Sequence, residues 1–164
     1  MIKQIIMKQQ PLLPYRLKKI GWLLFIPFAI AGIYLHITDY EPNWITTKVF
    51  AIYNESLFSD KKWFSIVETN ITSSLIGIGF LAGCLLIAFS KEKVEDEFIA
   101  GLRLSSLQWA VLVNYSLLLF CFLFIYGFAF MNVLIYNVFT VLLIFIGRFN
   151  YLLNKSRNMK AHAK

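Results

Sequence analysis

Between Arg103 and Arg148 the chain runs for 44 residues without a charged side chain. As one continuous helix that stretch would be about 66 Å long at 1.5 Å per residue, roughly twice the ~30 Å hydrocarbon core of a bilayer. It must fold back on itself, and Gly127 is the natural hinge. A shallow re-entrant hairpin would return Arg148 to the side of Arg103 but would leave too much apolar length unused. Two full spans are therefore expected, near residues 107–126 and 132–148.

Two more apolar runs precede this one, at 20–37 and 71–90. Of the 164 residues 59% are hydrophobic and 15% charged, against about 25% charged in a soluble domain. So much apolar surface cannot be hidden in so small a core, and lipid must serve as the solvent. The first run, 20–37, carries Pro27, which lipid-buried helices tolerate when neighbours satisfy the freed carbonyl. Trp22 and Tyr34 mark its two ends as interface aromatics do. A basic leader, a short apolar run and Ala29-Ile30-Ala31 before Gly32 also read as a cleavable signal peptide. Hydrophobicity that continues to Ile37 favours a retained span.

The second run, 71–90, is the richest in small residues. Gly79 and Gly83 form a GxxxG, and Ser73 with Gly77 a second small-xxx-small pair. Helices in lipid associate through close backbone approach, which places this helix at the bundle centre, with contact inside one chain expected over homodimerisation. Cys84 and Cys121 each lie deep in an apolar run, match no zinc or CxxC spacing and read as small packing residues.

Charge sets the orientation. With both termini and the 91–106 segment on one side, that side holds 13 Lys and Arg and the other 3. The positive-inside rule then puts both ends and this segment in the cytoplasm. The leader, 1–19, has five bases, no acid and an Ile2/Ile5/Ile6 face, suited to anionic lipid headgroups. The +7 net charge sits mainly at the chain ends instead of along a groove, which excludes nucleic acid as a partner. The tail, 149–164, loses its hydrophobic periodicity after Leu153 and is expected to fray. The outer loop, 38–70, has Ile45, Val49, Ile52, Tyr53 and Leu57 at helical spacing, Ser59 as an N-cap, and Trp44, Tyr53 and Trp63 to rest on the membrane surface.

The connector, 91–106, is the charged island of the hydrophobic half. Wound as a helix extending the second span, it brings Glu92, Asp96 and Arg103 within about 40° of one another, opposite Val94, Phe98, Leu102 and Ser105. That face is the expected contact for a protein partner. A carboxylate cluster for a divalent cation is the sharper reading, but Lys91, Lys93 and Arg103 neutralise much of it. In the last hairpin Asn137 stands out, with Tyr136 and Thr140 beside it. An amide roughly 12 Å below the interface needs a partner, with Ser116 and Cys121 in reach on the facing span. No Asp, Glu, Lys, Arg or His lies mid-membrane, so packing is favoured over a solute path.

Recognised enzyme patterns fail. Glu95-Asp96-Glu97 is spaced wrongly from Arg103 for the EExxxR of membrane-embedded CAAX-type proteases. HExxH, GxSxG, DxxDGxxAR and Gly-rich phosphate loops do not occur. His36, Asp39 and Glu41 would need further ligands to hold a metal, and His36 reads as an interface residue. No catalytic, metal or cofactor residue is assigned.

The segments KEKVEDEFIAGLRLSSLQWAVLVNY and YGFAFMNVLIYNVFTVLLIFIGRFNYLL, spanning about 91–153, resemble uncharacterised small bacterial membrane proteins of four predicted spans. The resemblance implies architecture and carries over no functional residue. The expectation is an all-α integral membrane four-helix bundle, two helical hairpins joined by a cytoplasmic amphipathic connector, in a bacterial cytoplasmic (inner) membrane. Ser73, Gly77, Gly79, Gly83, Asn137 and Thr140 are its expected packing residues. Its expected role is non-enzymatic: a packing, accessory or regulatory subunit of a membrane complex, with a protein partner or self-association. The alternatives are an oligomeric channel or transporter component, or an enzyme using the acidic connector.

Overall fold

A computed structural model of the protein describes residues 12–38, 44–54 and 62–162. Among the described residues four helices, α1 (Tyr15–Thr38), α2 (Thr72–Phe89), α3 (Glu97–Phe124) and α4 (Phe128–His162), are each long and apolar enough to cross a membrane. Between α1 and α2 lies an antiparallel hairpin, β1 (Thr46–Asn54) and β2 (Lys62–Asn70). The chain divides into two compact units, one of Met1–Leu23 with Leu81–Lys164, the other of Leu24–Phe80.

In the first unit α1 starts directly after Pro14, whose carbonyl accepts from Leu17 N; a proline's fixed φ and missing N–H suit a helix start. Ahead of it, Leu13 forms a parallel bridge with Ser90. Leu13 N donates to Phe89 O (2.9 Å) and Lys91 N to Leu13 O (2.8 Å). This bridge is why α2 stops. Its last carbonyl finds a partner in the N-terminal segment, so the expected helical extension into the connector does not form, and 90–96 is irregular. Helix resumes at Glu97 with Asp96 as N-cap, its carboxylate accepting from Ile99 N at 2.8 Å. Glu97 in the first turn complements the helix dipole.

The α3–α4 hairpin turns at Gly127, whose φ of +70° lies in the left-handed region that favours glycine. Ile125 N donates to Cys121 O (2.8 Å), closing α3. Ser106 and Ala110, fully buried, and Asn114, nearly so, recur every four residues on one stripe of α3. With Ile99 on α3 and Phe145, Ile146, Phe149 and Leu153 on α4 they belong to the buried core, as do Cys84, Ile87 and Ala88 of α2. The tail is helical through its described residues. Buried Phe149 and Leu153 anchor α4 into it, no Gly or Pro interrupts residues 149–162, and the helix runs on to His162.

In the second unit the loop expected to be a surface helix is instead the β-hairpin, so the fold is mostly helical and not all-α. The Ile45/Val49/Ile52/Tyr53 spacing fits a helix by coincidence. Thr46, Thr47, Val49, Phe50, Ile52 and Tyr53 are β-branched or aromatic, and Trp63, Phe64, Ile66 and Val67 supply a second strand to pair with them. The register runs from Thr46↔Asn70 through Phe50↔Ile66 to Asn54↔Lys62. At its base, Thr72 N and its hydroxyl both donate to Asn70 Oδ1 (3.0 and 2.7 Å), and Ile71 N donates to Ile45 O (3.0 Å), tying both strands to the start of α2. Ser59, Asp60, Asp39, Glu41 and the leader's Ile2, Ile5, Ile6, Lys3 and Lys8 lie outside the described residues.

Candidate functional site

Three of the connector's charged residues, Glu92, Glu95 and Arg103, are gathered into a partly buried knot in the first unit, while Lys91, Lys93, Asp96 and Glu97 stay exposed. Glu92, its side chain 3% exposed, pairs with Lys18 of α1 and, at 3.6 Å, with Arg157 of α4. Arg103 is buried too. Its Nη2 donates to both oxygens of Glu95 (3.2 and 3.1 Å) and Nη1 donates to Ser90 O (3.0 Å). Glu95 Oε2 also accepts from Glu92 N (2.9 Å). Phe149 lies under the knot, with the Arg103 guanidinium 5.1 Å and Lys18 Nζ 6.0 Å from its ring centre.

Of the three residues assigned to a partner face, Glu92 and Arg103 therefore point into the protein and Asp96 caps α3. The helical projection that grouped them requires a helix through 90–96, and the Leu13 bridge prevents one. Lys18 and Arg157 were missed in sequence, each a distant and ordinary-looking charge that only the fold brings in, and Glu95 stood out only as part of the acidic run Glu95-Asp96-Glu97. Two buried ions in contact are expensive to desolvate and strongly destabilising to break singly. The knot thus ties α1, the connector, α3 and α4 together and uses up its carboxylates. Among the described residues no group of three or more His, Cys, Asp or Glu is placed to hold a metal ion.

Further along the hairpin, Asn137 meets Asn114 across α3 and α4, each amide nitrogen donating to the other's oxygen at 3.3 Å. The partner is not Ser116 or Cys121. Ser116 donates to the Leu112 carbonyl of its own helix (2.8 Å), and Thr140 likewise to Tyr136 O (2.9 Å). The Ser106-xxx-Ala110-xxx-Asn114 stripe was the available signal for this contact, because small residues at that spacing allow close helix approach.

The small residues of α2 divide. Gly83 is buried. A Cβ on Gly79 would lie 2.6 Å from the Phe28 ring, so this glycine is used for close packing. Gly77 has nothing within 4 Å of such an atom, and Ser73 is exposed. An unforeseen contact of the same kind is Gly21, where an added Cβ would lie 3.0 Å from both Ile87 N and Leu86 Cβ.

The β-hairpin carries an uncovered apolar face outside the membrane-length helices of the second unit. Phe50, Ile52, Phe64 and Ile66 share one face and are 65, 61, 68 and 73% exposed, with the Lys48↔Glu68 pair beside them. Val49, Ala51, Ser65 and Val67 on the other face are half-buried. Phe64 has φ 51°, in the left-handed region that bulky side chains avoid, and the ladder passes from Ala51↔Ser65 to Tyr53↔Trp63 without an Ile52↔Phe64 rung. The distortion leaves the Phe64 ring 6.2 Å from that of Phe50, within one aromatic cluster. Four such side chains expose on the order of 500 Å² of apolar surface, a size at which patches mark interaction sites.

No family model, curated protein or solved structure matches the chain.

Proposed function

We propose that this chain is a non-enzymatic, four-span integral membrane protein that serves as an accessory or packing subunit, docking onto a membrane-protein partner through the apolar face of its β-hairpin. The observation that carries the reading is that face: four large apolar side chains uncovered on a strand pair, one of them held in a strained backbone conformation. Strain of about 1–3 kcal/mol persists where the surroundings impose it and concentrates at functional positions.

Membrane insertion is supported by the helices themselves. Leu23, Ile30, Ile33, Leu112, Leu119, Phe128 and Ile135 all lie uncovered on them, and in water such surfaces would aggregate. The 13-to-3 distribution of Lys and Arg supports both termini and the connector in the cytoplasm and the hairpin outside, in a bacterial inner membrane. What the protein offers to a partner is surface: the carboxylates of Glu92, Glu95 and Asp96 are occupied by internal partners.

A second reading, self-association as a channel or transporter component, has Ser73 and Gly77 in its favour, a small-residue stripe with open space at Gly77. Both readings are separated by a photo-crosslinking phenylalanine at position 50 or 66 in living cells. A discrete adduct with a different membrane protein, absent when the probe replaces Leu119, is the expected result. Adducts only with a second copy of the chain would favour self-association, and adducts only with lipid would overturn docking through this face.

A further inference from the structure

Arg103 and Arg148 bound the uncharged run, and the helical hairpin puts them at the same depth. From Phe124 back to Arg103 and from Phe128 on to Arg148, each helix rises about 30 Å at 1.5 Å per residue, one hydrocarbon thickness from the Gly127 turn. The two guanidinium groups are nevertheless treated differently. Arg103 is neutralised by Glu95 and further satisfied by Ser90 O. Arg148 lies 4.2 Å over the ring of Trp109 and no described carboxylate pairs with it, while the buried Nε lacks a hydrogen-bond partner in both arginines.

An indole under a guanidinium takes up its face and leaves the in-plane N–H donors at its edge for an acceptor. Those donors form a planar fork that matches a carboxylate or phosphate oxyanion. Residues 148–164 contain no acid, the connector's Glu92, Glu95 and Asp96 are engaged elsewhere, and Glu97, exposed in the first turn of α3, makes no ion pair with Arg148. Room exists beside the group: a Cβ on the preceding Gly147 would meet nothing within 4 Å. One turn on, Tyr151 is exposed on the same side of α4 as Arg148. The oxyanion available at one hydrocarbon thickness from the turn is the phosphodiester of a lipid headgroup.

We propose that Arg148, stacked on Trp109, is a binding site for a phospholipid headgroup phosphate, with Tyr151 at its rim. The site rests on the membrane-spanning reading and is independent of the β-hairpin. It differs from diffuse attraction of the basic chain ends to a charged surface, because it uses one arginine with a defined aromatic support and not a sum of charges.

The test uses the full-length protein reconstituted in vesicles of phosphatidylethanolamine and phosphatidylglycerol, released into mild detergent and weighed by native mass spectrometry. The wild type is expected to keep one phospholipid after loosely bound lipid is stripped. R148Q should keep it about tenfold less, the equivalent of one lost charge-assisted hydrogen bond. R157Q, which removes an arginine that already has a carboxylate partner, should keep it as the wild type does. R148K, which retains the charge but lacks the fork, should fall clearly below wild type and decides the matter if R148Q does not fold. Millimolar inorganic phosphate should neither displace the lipid nor bind in its place. Equal lipid retention by R148K and wild type, or a phosphate adduct replacing the lipid, would overturn the site. A wild-type chain that failed to enter the vesicles would instead overturn the membrane-spanning reading.

Discussion

Glu92→Gln is the most informative single change, because it removes one charge from a buried pair and leaves its partner in place. The Glu92 side chain is 3% exposed and that of Lys18 12%, so Lys18 is left facing an uncharged partner in a site with little water. Breaking a buried ion pair from one side costs about 3–5 kcal/mol. Arg157 lies 3.6 Å away and its side chain is 57% exposed, so losing that contact adds no more than about 1 kcal/mol. Some of the cost is recovered because the glutamine amide can still accept from Lys18, and a net loss of about 2–4 kcal/mol is expected. Lys18→Met alone should cost a similar amount. The double variant should recover much of the loss, since replacing both members of a buried pair by neutral groups is often near neutral. The assay is reversible unfolding by sodium dodecyl sulfate in mixed micelles, followed by tryptophan fluorescence, with a double-mutant cycle. A coupling energy of about 2 kcal/mol or more supports the knot as a structural clamp. Additive single effects, or a Glu92→Gln loss below about 0.5 kcal/mol, the range of surface substitutions, would refute the reasoning.

Three further outcomes follow from the packing. Asn114→Leu or Asn137→Leu should each cost about 0.6–2 kcal/mol in the same unfolding assay, with the double variant less destabilised than the sum, because each single change strands an amide. Gly21→Ala should destabilise by about 1–3 kcal/mol, because its new methyl meets the α2 backbone at Ile87 and cannot be accommodated by a rotamer change, whereas Gly77→Ala, in open space, should be neutral to slightly stabilising; equal melting temperatures for the two would contradict the close approach at Gly21. Gly127→Ala should cost about 1–2 kcal/mol from the left-handed backbone alone, and an unchanged stability would mean that the turn relaxes.

Much of the helical architecture was legible because lipid solubility is a composition-level signal. Four long apolar helices follow from four uncharged or nearly uncharged stretches, and Gly127 is where the longest had to turn. The misreadings share a cause: each extended a local pattern across a point where a distant segment intervenes. The connector's charges align on a helical projection, yet Leu13, 77 residues earlier than Ser90, takes the hydrogen bonds that would have continued α2. The tail was expected to fray because its periodicity ends at Leu153, but buried Leu153 and Phe149 carry the helix past it. The β-hairpin was hidden by a different ambiguity. With both faces apolar around Phe50 and Ile52, strand alternation disappears, and a short hydrophobic run cannot be assigned by periodicity alone. Here the β-branched and aromatic content of both segments was the better guide. Among polar residues, Asn137 was recognisable as needing a partner, whereas Asn114 as that partner depended on interhelix register.

The fate of Glu92 and Arg103 shows why a charged island is weak evidence for an exposed contact. The physical cost that makes buried charge rare also makes it conspicuous in sequence, and a fold can meet that cost internally, as Lys18, Glu95 and Arg157 do here. The β-hairpin face and the guanidinium of Arg148 are features of the opposite kind, with no covering segment or carboxylate among the described residues to complete them.

Everything proposed for these surfaces depends on four crossings that leave both ends on the cytoplasmic side and the β-hairpin outside. Paired reporter fusions measure that arrangement directly, one after Lys164 and one inserted between Glu55 and Asp60, each with a fluorescent protein that matures only in the cytoplasm and a phosphatase active only outside. The account predicts fluorescence without phosphatase activity at Lys164 and the reverse for the insertion between Glu55 and Asp60; phosphatase activity at Lys164 would contradict it.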